Sequence, residues 1–190
     1  LKPAAEALTA LPLVMPPTVL GFYLLLLFSP DNVFGSFWVD LTGTALSFSF
    51  NGLVIASLIY SLPFMVQPLT AAFGQIGRRP MEAAATLGAS PWNAWRTTVL
   101  PMARNGYLTA AVLTFAHTVG EFGIVLMVGG NLAGETRVIS IAIYESVETL
   151  DYAQAHLLSA GLLVFSFSTL LCVYYFNRQF ALSLGPRGSS

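Results

Sequence analysis

The sequence predicts an all-α protein, a polytopic transmembrane helix bundle with about four spans in this chain, and three observations carry that expectation. The chain of 190 residues is 55% hydrophobic and only 9% charged, against roughly 25% charged residues in soluble domains. Its mean hydropathy is +0.71. Ala7–Pro30, Leu41–Gly77 and Tyr152–Asn177 carry no Asp, Glu, Lys or Arg, and Asn105–Val128 is interrupted only by His117 and Glu121. Each run supplies the ~20 apolar residues that one helical crossing of a bilayer requires. The net charge of −1 offers no basic surface for nucleic acid. Cys172, the single cysteine, excludes an intrachain disulfide and reads as a small packing residue.

The spans are expected near Leu11–Ser29, Gly52–Phe73, Arg104–Val128 and Gln154–Phe176. Alternation then puts Lys2, Arg78, Arg79, Arg96, Arg104, Arg178 and Arg187 on one side and Arg137 alone on the other. Asp31, Asp40, Glu135, Glu145, Glu148 and Asp151 lie with Arg137. The basic side is the cytoplasmic one, so both termini and the 78–101 segment face the cytoplasm. Residues 1–190 read as a single transmembrane domain. The chain opens on Leu1 rather than Met, and an N-terminal span is expected to be missing.

In the first span, Pro12, Pro16 and Pro17 free backbone carbonyls that lipid cannot satisfy. Either a broken helix lines a path here or the helix kinks for packing alone; Pro63 and Pro68 raise the same question in the second span.

The cytoplasmic segment 78–101 reads as a helix–turn–helix. Pro80 suits a first helical turn, and Glu82 there complements the helix dipole. Gly88 is placed for a left-handed C-cap. Ser90 and Pro91 restart a helix as N-cap and first residue. Trp92, Trp95 and Val99 are spaced to share one face, and Leu100-Pro101 closes the arm. A loop lying on the headgroups explains the tryptophans. Small Ala residues on the first arm instead fit close approach by another protein.

In the third span Glu121 costs roughly 2.5–3.5 kcal/mol at a bilayer centre and must face protein or water. His117, four residues earlier, is its expected partner. Gly120 and Gly123 permit close helix approach or a bend. The group reads either as a gate or dimer interface or as a buried structural pair. Arg137 is left either to meet an extracytoplasmic partner or to pair with Glu135 or another acid of the same loop.

No phosphate-binding Gly-x-x-x-x-Gly-Lys motif occurs, and Lys2 is the sole lysine. His117 and His156 lack neighbours at metal-ligand spacing, so no metal site is expected. No nucleophile–base motif appears.

Glu82-Ala83-Ala84, Gly88 and Leu100-Pro101 together resemble the EAA loop of permease subunits in ABC importers. The chain departs from that pattern at Thr98, where Ile is usual, and at Leu87, where many members have Asp. Leu11–Leu24, LPLVMPPTVLGFYL, and Gly120–Glu148, GEFGIVLMVGGNLAGETRVISIAIYESVE, are similar to molybdate permeases. Sulfate permeases share the Gly-Glu-Phe-Gly element but typically carry Lys near the position of Glu135.

The resemblance implies a further span before Leu1. It also implies that Glu82, Ala83, Ala84, Gly88, Leu100 and Pro101 couple the chain to a cytoplasmic ATPase. Expected partners are a second permease copy in a homodimer, two ABC ATPase subunits and a periplasmic oxyanion-binding protein, in a bacterial-type inner membrane. No cofactor is expected in this chain, with ATP and Mg on the ATPase. Arg137 would contact the binding protein or the released anion. A dianion crossing membrane runs without Lys or Arg would meet Thr18, Ser47, Ser49, Asn51, Ser57, Thr114 and Thr118.

Molybdate stands ahead of sulfate or tungstate as cargo. A membrane enzyme using Glu121 and His117 as acid and base is the alternative from another class. An ion-driven secondary transporter would need no such loop. Association with a cytoplasmic ATPase separates the three.

Overall fold

The computed structural model describes residues 2–183, with side chains for residues 3–175. Arg187 lies outside these residues, as do the side chains of Lys2 and Arg178. All regular structure among the described residues is helical, as the composition predicts. The chain divides into two compact units, Leu1–Val138 and Ile139–Ser190.

The first unit begins with α1 (Lys2–Val14) and α2 (Pro17–Phe28). A proline forces the residue before it out of helical geometry, and Pro16, ahead of Pro17, sits at φ −55°, ψ 135°. The axes consequently bend by 114°. The regular span expected over Leu11–Ser29 is therefore broken at Pro16-Pro17, while Pro12 stays inside α1. A short α3 (Val33–Thr42) follows. The Asn32 side chain caps its start, and Gly43 at φ +74° ends it.

The long α4 (Phe50–Ile76) runs unbroken through Pro63 and Pro68, so these prolines break nothing. At ~1.5 Å per residue it is about 40 Å long, enough to cross a bilayer. After the 78–101 segment, α8 (Arg104–Val119) and α9 (Gly123–Gly129) form a second bent pair, 59° apart. The continuous helix expected over Arg104–Val128 thus stops at Val119.

Leu24 and Phe28 of α2, Leu46 of the loop before α4, Ala56 and Tyr60 of α4, and Ile124 and Val128 of α9 form the core. Lipid tails are as apolar as leucine, so close packing rather than water exclusion must hold such helices together. Glycines supply it: a Cβ on Gly21 would lie 2.9 Å from Met127 Cβ, and one on Gly106 of α8 would collide with Ala72 of α4.

The second unit is a helical hairpin of α10 (Ile139–Glu148) and α11 (Tyr152–Ser183). Leu150 at φ +62° turns the corner. Asp151 then accepts the Gln154 N–H at 3.1 Å to open the long helix.

Candidate functional site

The 78–101 segment folds as its punctuation dictates at the first turn. Helix α5 (Arg79–Thr86) holds Glu82 in its first turn, exposed, with Ala83 exposed and Ala84 half-buried. Gly88 takes φ +80°. Its N–H bonds Ala85 O at 3.0 Å, and the Ala89 N–H bonds Ala84 O at 3.1 Å. This doubly bonded left-handed cap satisfies carbonyls that the helix end would otherwise leave open. Ser90 then accepts the Asn93 N–H at 3.4 Å ahead of Pro91, opening α6 (Pro91–Ala94). Trp92 and Trp95 stack, ring centroids 5.2 Å apart, and Trp92 is 67% exposed.

Past Trp95 the structure departs from the sequence reading. Trp95–Val99 is a π-helical turn, in which the Leu100 N–H reaches Trp95 O. Val99 at its end is 6% exposed, whereas Trp92 lies open. Leu100-Pro101 does not end the arm either. Helix α7 (Leu100–Met102) carries on, and only Ala103 separates it from α8. Leu100 and Pro101 line a shallow depression with Arg104 and Tyr107. A groove of about 550 Å³ runs between the ends of α4 and α8, lined by Gln75, Asn105 and Thr109 among apolar residues.

On α8, Thr114 and His117 are half-buried and Thr118 is exposed, at helical spacing. Thr118 Oγ1 donates to Thr114 O at 2.8 Å, and Ser61 Oγ of α4 lies 2.7 Å from it. His117 stacks on Phe64 at 3.7 Å and packs by Tyr60 at 4.6 Å. The buried Thr114 Oγ1 and His117 Nε2 have no hydrogen-bond partner.

Glu121 lies beyond the end of α8, so it does not share a helical face with His117. It is 7% exposed, and its Oε1 accepts the Ile124 N–H at 2.8 Å. The carboxylate caps α9. Gly123 brings that helix against α2, where a Cβ would stand 2.8 Å from Pro17 Cβ, whereas a Cβ on Gly120 would meet nothing closer than Ala116 O at 3.6 Å.

The remaining polar residues are dispersed. Thr18 and Asn51 are exposed in the first turns of α2 and α4, and Ser47 and Ser57 are half-buried. Ser49 caps α4 and donates to Leu46 O at 2.8 Å. Ser49 and Thr118 therefore already spend their hydroxyl protons on backbone carbonyls. Arg137 Nε donates to Asn131 Oδ1 at 2.8 Å, in a loop braced by the buried Thr136 hydroxyl, which donates to Gly129 O.

The family profile described as "Binding-protein-dependent transport system inner membrane component" matches residues 1–182. The chain belongs to that family. Its sequence is 53% identical to the molybdenum transport system permease protein of Azotobacter vinelandii over 97% of this chain and 81% of that protein. It is 35% identical to the Escherichia coli K12 molybdenum transport system permease protein, over 78% of this chain and 65% of that one. The E. coli K12 sulfate transport system permease protein is 32% identical over 87% of this chain and 61% of that one. The chain thus spans less than two thirds of both E. coli proteins.

In this inner-membrane component, Ser61 and Thr136 escaped the sequence reading. Ser61 looked like one more small residue in an apolar run, and only the fold places it opposite Thr118. Thr136 sits in a polar loop, where no pattern distinguishes a braced hydroxyl from a solvated one.

Proposed function

We propose that this chain is the membrane-spanning translocation subunit of an ATP-driven oxyanion importer whose cargo is molybdate, with residues 1–190 acting as one permease domain. Two copies would form the pore, with two cytoplasmic ATPases beneath and an extracytoplasmic oxyanion-binding protein above. ATP and Mg would reside on the ATPases. The likeness to molybdenum transport permeases carries the choice of cargo, with sulfate and tungstate the other members of the same chemical class. The basic residues of 78–101 favour a cytoplasmic position for that segment.

The observation that carries the coupling role is the left-handed Gly88 cap with its two backbone hydrogen bonds. It fixes a compact protrusion, Glu82 beside the small residues Ala83 and Ala84, on an exposed arm. An ATPase groove would receive that arm, and Leu100 and Pro101 would carry its displacement toward α8. Nucleotide binding would draw two such arms together and open the bundle to the outside. His117, Gly120, Glu121 and Gly123 lie at the α8–α9 elbow, which fits a gate or dimer contact. Thr18, Ser47, Ser49, Asn51, Ser57, Thr114 and Thr118 would offer neutral donors along the path, with Ser49 and Thr118 exchanging backbone bonds for the anion. A path without fixed cations releases a dianion readily, leaving selectivity to the binding protein. Arg137, oriented by Asn131, would meet that protein.

Reconstitution of the permease with its ATPase and binding protein, followed by uptake of labelled molybdate, sulfate and tungstate, tests the assignment. ATP-dependent molybdate uptake competed weakly by sulfate is expected. Uptake driven by an ion gradient without ATP would overturn it.

A further inference from the structure

The π-helical turn over Trp95–Val99 has its cause a few residues downstream. Pro101 has no N–H, and in a regular α-helix its ring would collide with the carbonyl four residues earlier, that of Thr97. Widening the turn relieves the collision. The Leu100 N–H bonds Trp95 O, five residues back, and regular spacing resumes where the Ala103 N–H donates to Val99 O at 3.0 Å. Thr97 Oγ1 donates to Asn93 O at 2.7 Å and holds the preceding turn.

A π-turn houses one residue more than the α-turn it replaces. One residue of helix is a rotation of about 100° and a rise of about 1.5 Å. On one side of the insertion stand the stacked Trp92 and Trp95 and the α5 arm. On the other stands α8, locked along α4 by the close approach of Gly106 to Ala72. Ala94, Val99 and Ala103, at 1%, 6% and 1% exposure, are buried along the segment joining the two. From Pro91 to Val119 the backbone is helical except for the single turn at Ala103, and α5, joined to it through the non-helical 87–90 segment, packs against α6 and the π-turn. A load on the arm therefore reaches α8 through stiff backbone, in a direction fixed by the register.

We propose that Pro101 is a positioning residue: by enforcing the π-turn it sets the rotational register between the docking arm and α8, and so the direction in which displacement of the arm drives the bundle. This rests on the coupling role of residues 78–101 given above. It makes a Leu-Pro that looks like a helix stop into a one-residue offset inside a continuous lever.

The register can be broken and restored separately. Pro101→Ala lets the segment relax to α-helix and turns the arm relative to α8. Deleting Thr98 in the Pro101→Ala background converts the Leu100 N–H to Trp95 O bond into an ordinary α-helical one, which returns both sides to their native relation. ATP-driven uptake and co-purification with the ATPase are measured for wild type, Pro101→Ala and the deletion variant. Uptake is expected to fall about tenfold or more in Pro101→Ala, the ratio that ~1.4 kcal/mol represents. The deletion variant is expected to return to within about threefold of wild type. A simple loss of folding in Pro101→Ala would not be repaired by removing a second residue, so rescue is the deciding readout. Wild-type uptake in Pro101→Ala, or no recovery on deletion, overturns the register role. Failure of the wild-type loop to cross-link to the ATPase from Leu87 would instead overturn the coupling reading beneath it.

Discussion

The hydroxyls of Ser61 on α4 and Thr118 on α8 stand 2.7 Å apart, and Thr118 gives its own proton to Thr114 O. Ser61 is therefore the donor across the helix pair. Such bonds between membrane helices contribute about 0.6 kcal/mol on average. Ser61→Ala and Thr118→Val should each lower the thermal midpoint of the purified protein slightly, with a double-mutant coupling of that size. Strict additivity of the two substitutions would show that the bond contributes nothing.

Gly88 separates backbone geometry from steric room. A Cβ there would touch nothing within 4 Å, yet φ is +80°. A left-handed residue other than glycine costs roughly 1–2 kcal/mol, and Asn tolerates it best while β-branched residues tolerate it least. Gly88→Asn should keep most ATPase association in pull-down, and Gly88→Val should abolish it. Retained association and ATPase stimulation in Gly88→Val would remove the cap from the docking mechanism.

The legible parts of this fold were those written in local chemistry. Glycine and proline at 88–91 mark the helix break because only backbone freedom and a missing N–H are involved, and both are visible in the letters. Hydropathy located the two unbroken candidate spans, in α4 and α11, for the same reason, since lipid thickness imposes a length. The π-turn stayed hidden because a proline in helical sequence can end the helix, be carried within it as at Pro63 and Pro68, or widen a turn as ahead of Pro101. Which one wins depends on Ala103 and α8 continuing the rod. The expected common helical face of His117 and Glu121 assumed an unbroken helix, and the bend before Gly123 removed that face, although the charge of Glu121 still acts on His117. Nothing local reveals that α9 must turn to bring Gly123 against Pro17.

Glu121 acts on the backbone of α9 through Oε1, which accepts the Ile124 N–H in a buried setting. Gln keeps an oxygen at that position, whereas Ala leaves the N–H unsatisfied, a loss of about 1–3 kcal/mol. Glu121→Ala should therefore assemble and transport distinctly worse than Glu121→Gln. Equal loss in both would trace the role to the negative charge, and wild-type behaviour in both would leave Glu121 without a special part in assembly or gating.

Gly120 and Gly123 flank the same elbow, yet their structural reasons differ. Gly120 sits at φ −84°, an ordinary value for any residue, and a Cβ there meets Ala116 O at a comfortable 3.6 Å. Gly120→Ala should be neutral or stabilise by about 0.4–1 kcal/mol, because it narrows the unfolded ensemble without strain. At Gly123 the obstacle is Pro17 Cβ, 2.8 Å away, a ring carbon with no rotamer to yield. The helices must move apart instead, which in a packed interior costs typically 1–3 kcal/mol. Gly123→Ala should lower the thermal midpoint measurably while Gly120→Ala holds or raises it. The elbow would then open where α2 and α9 meet, at Pro17. Midpoints that fell equally in both variants would show that the bend itself demands glycine, and that the contact with Pro17 does not govern it.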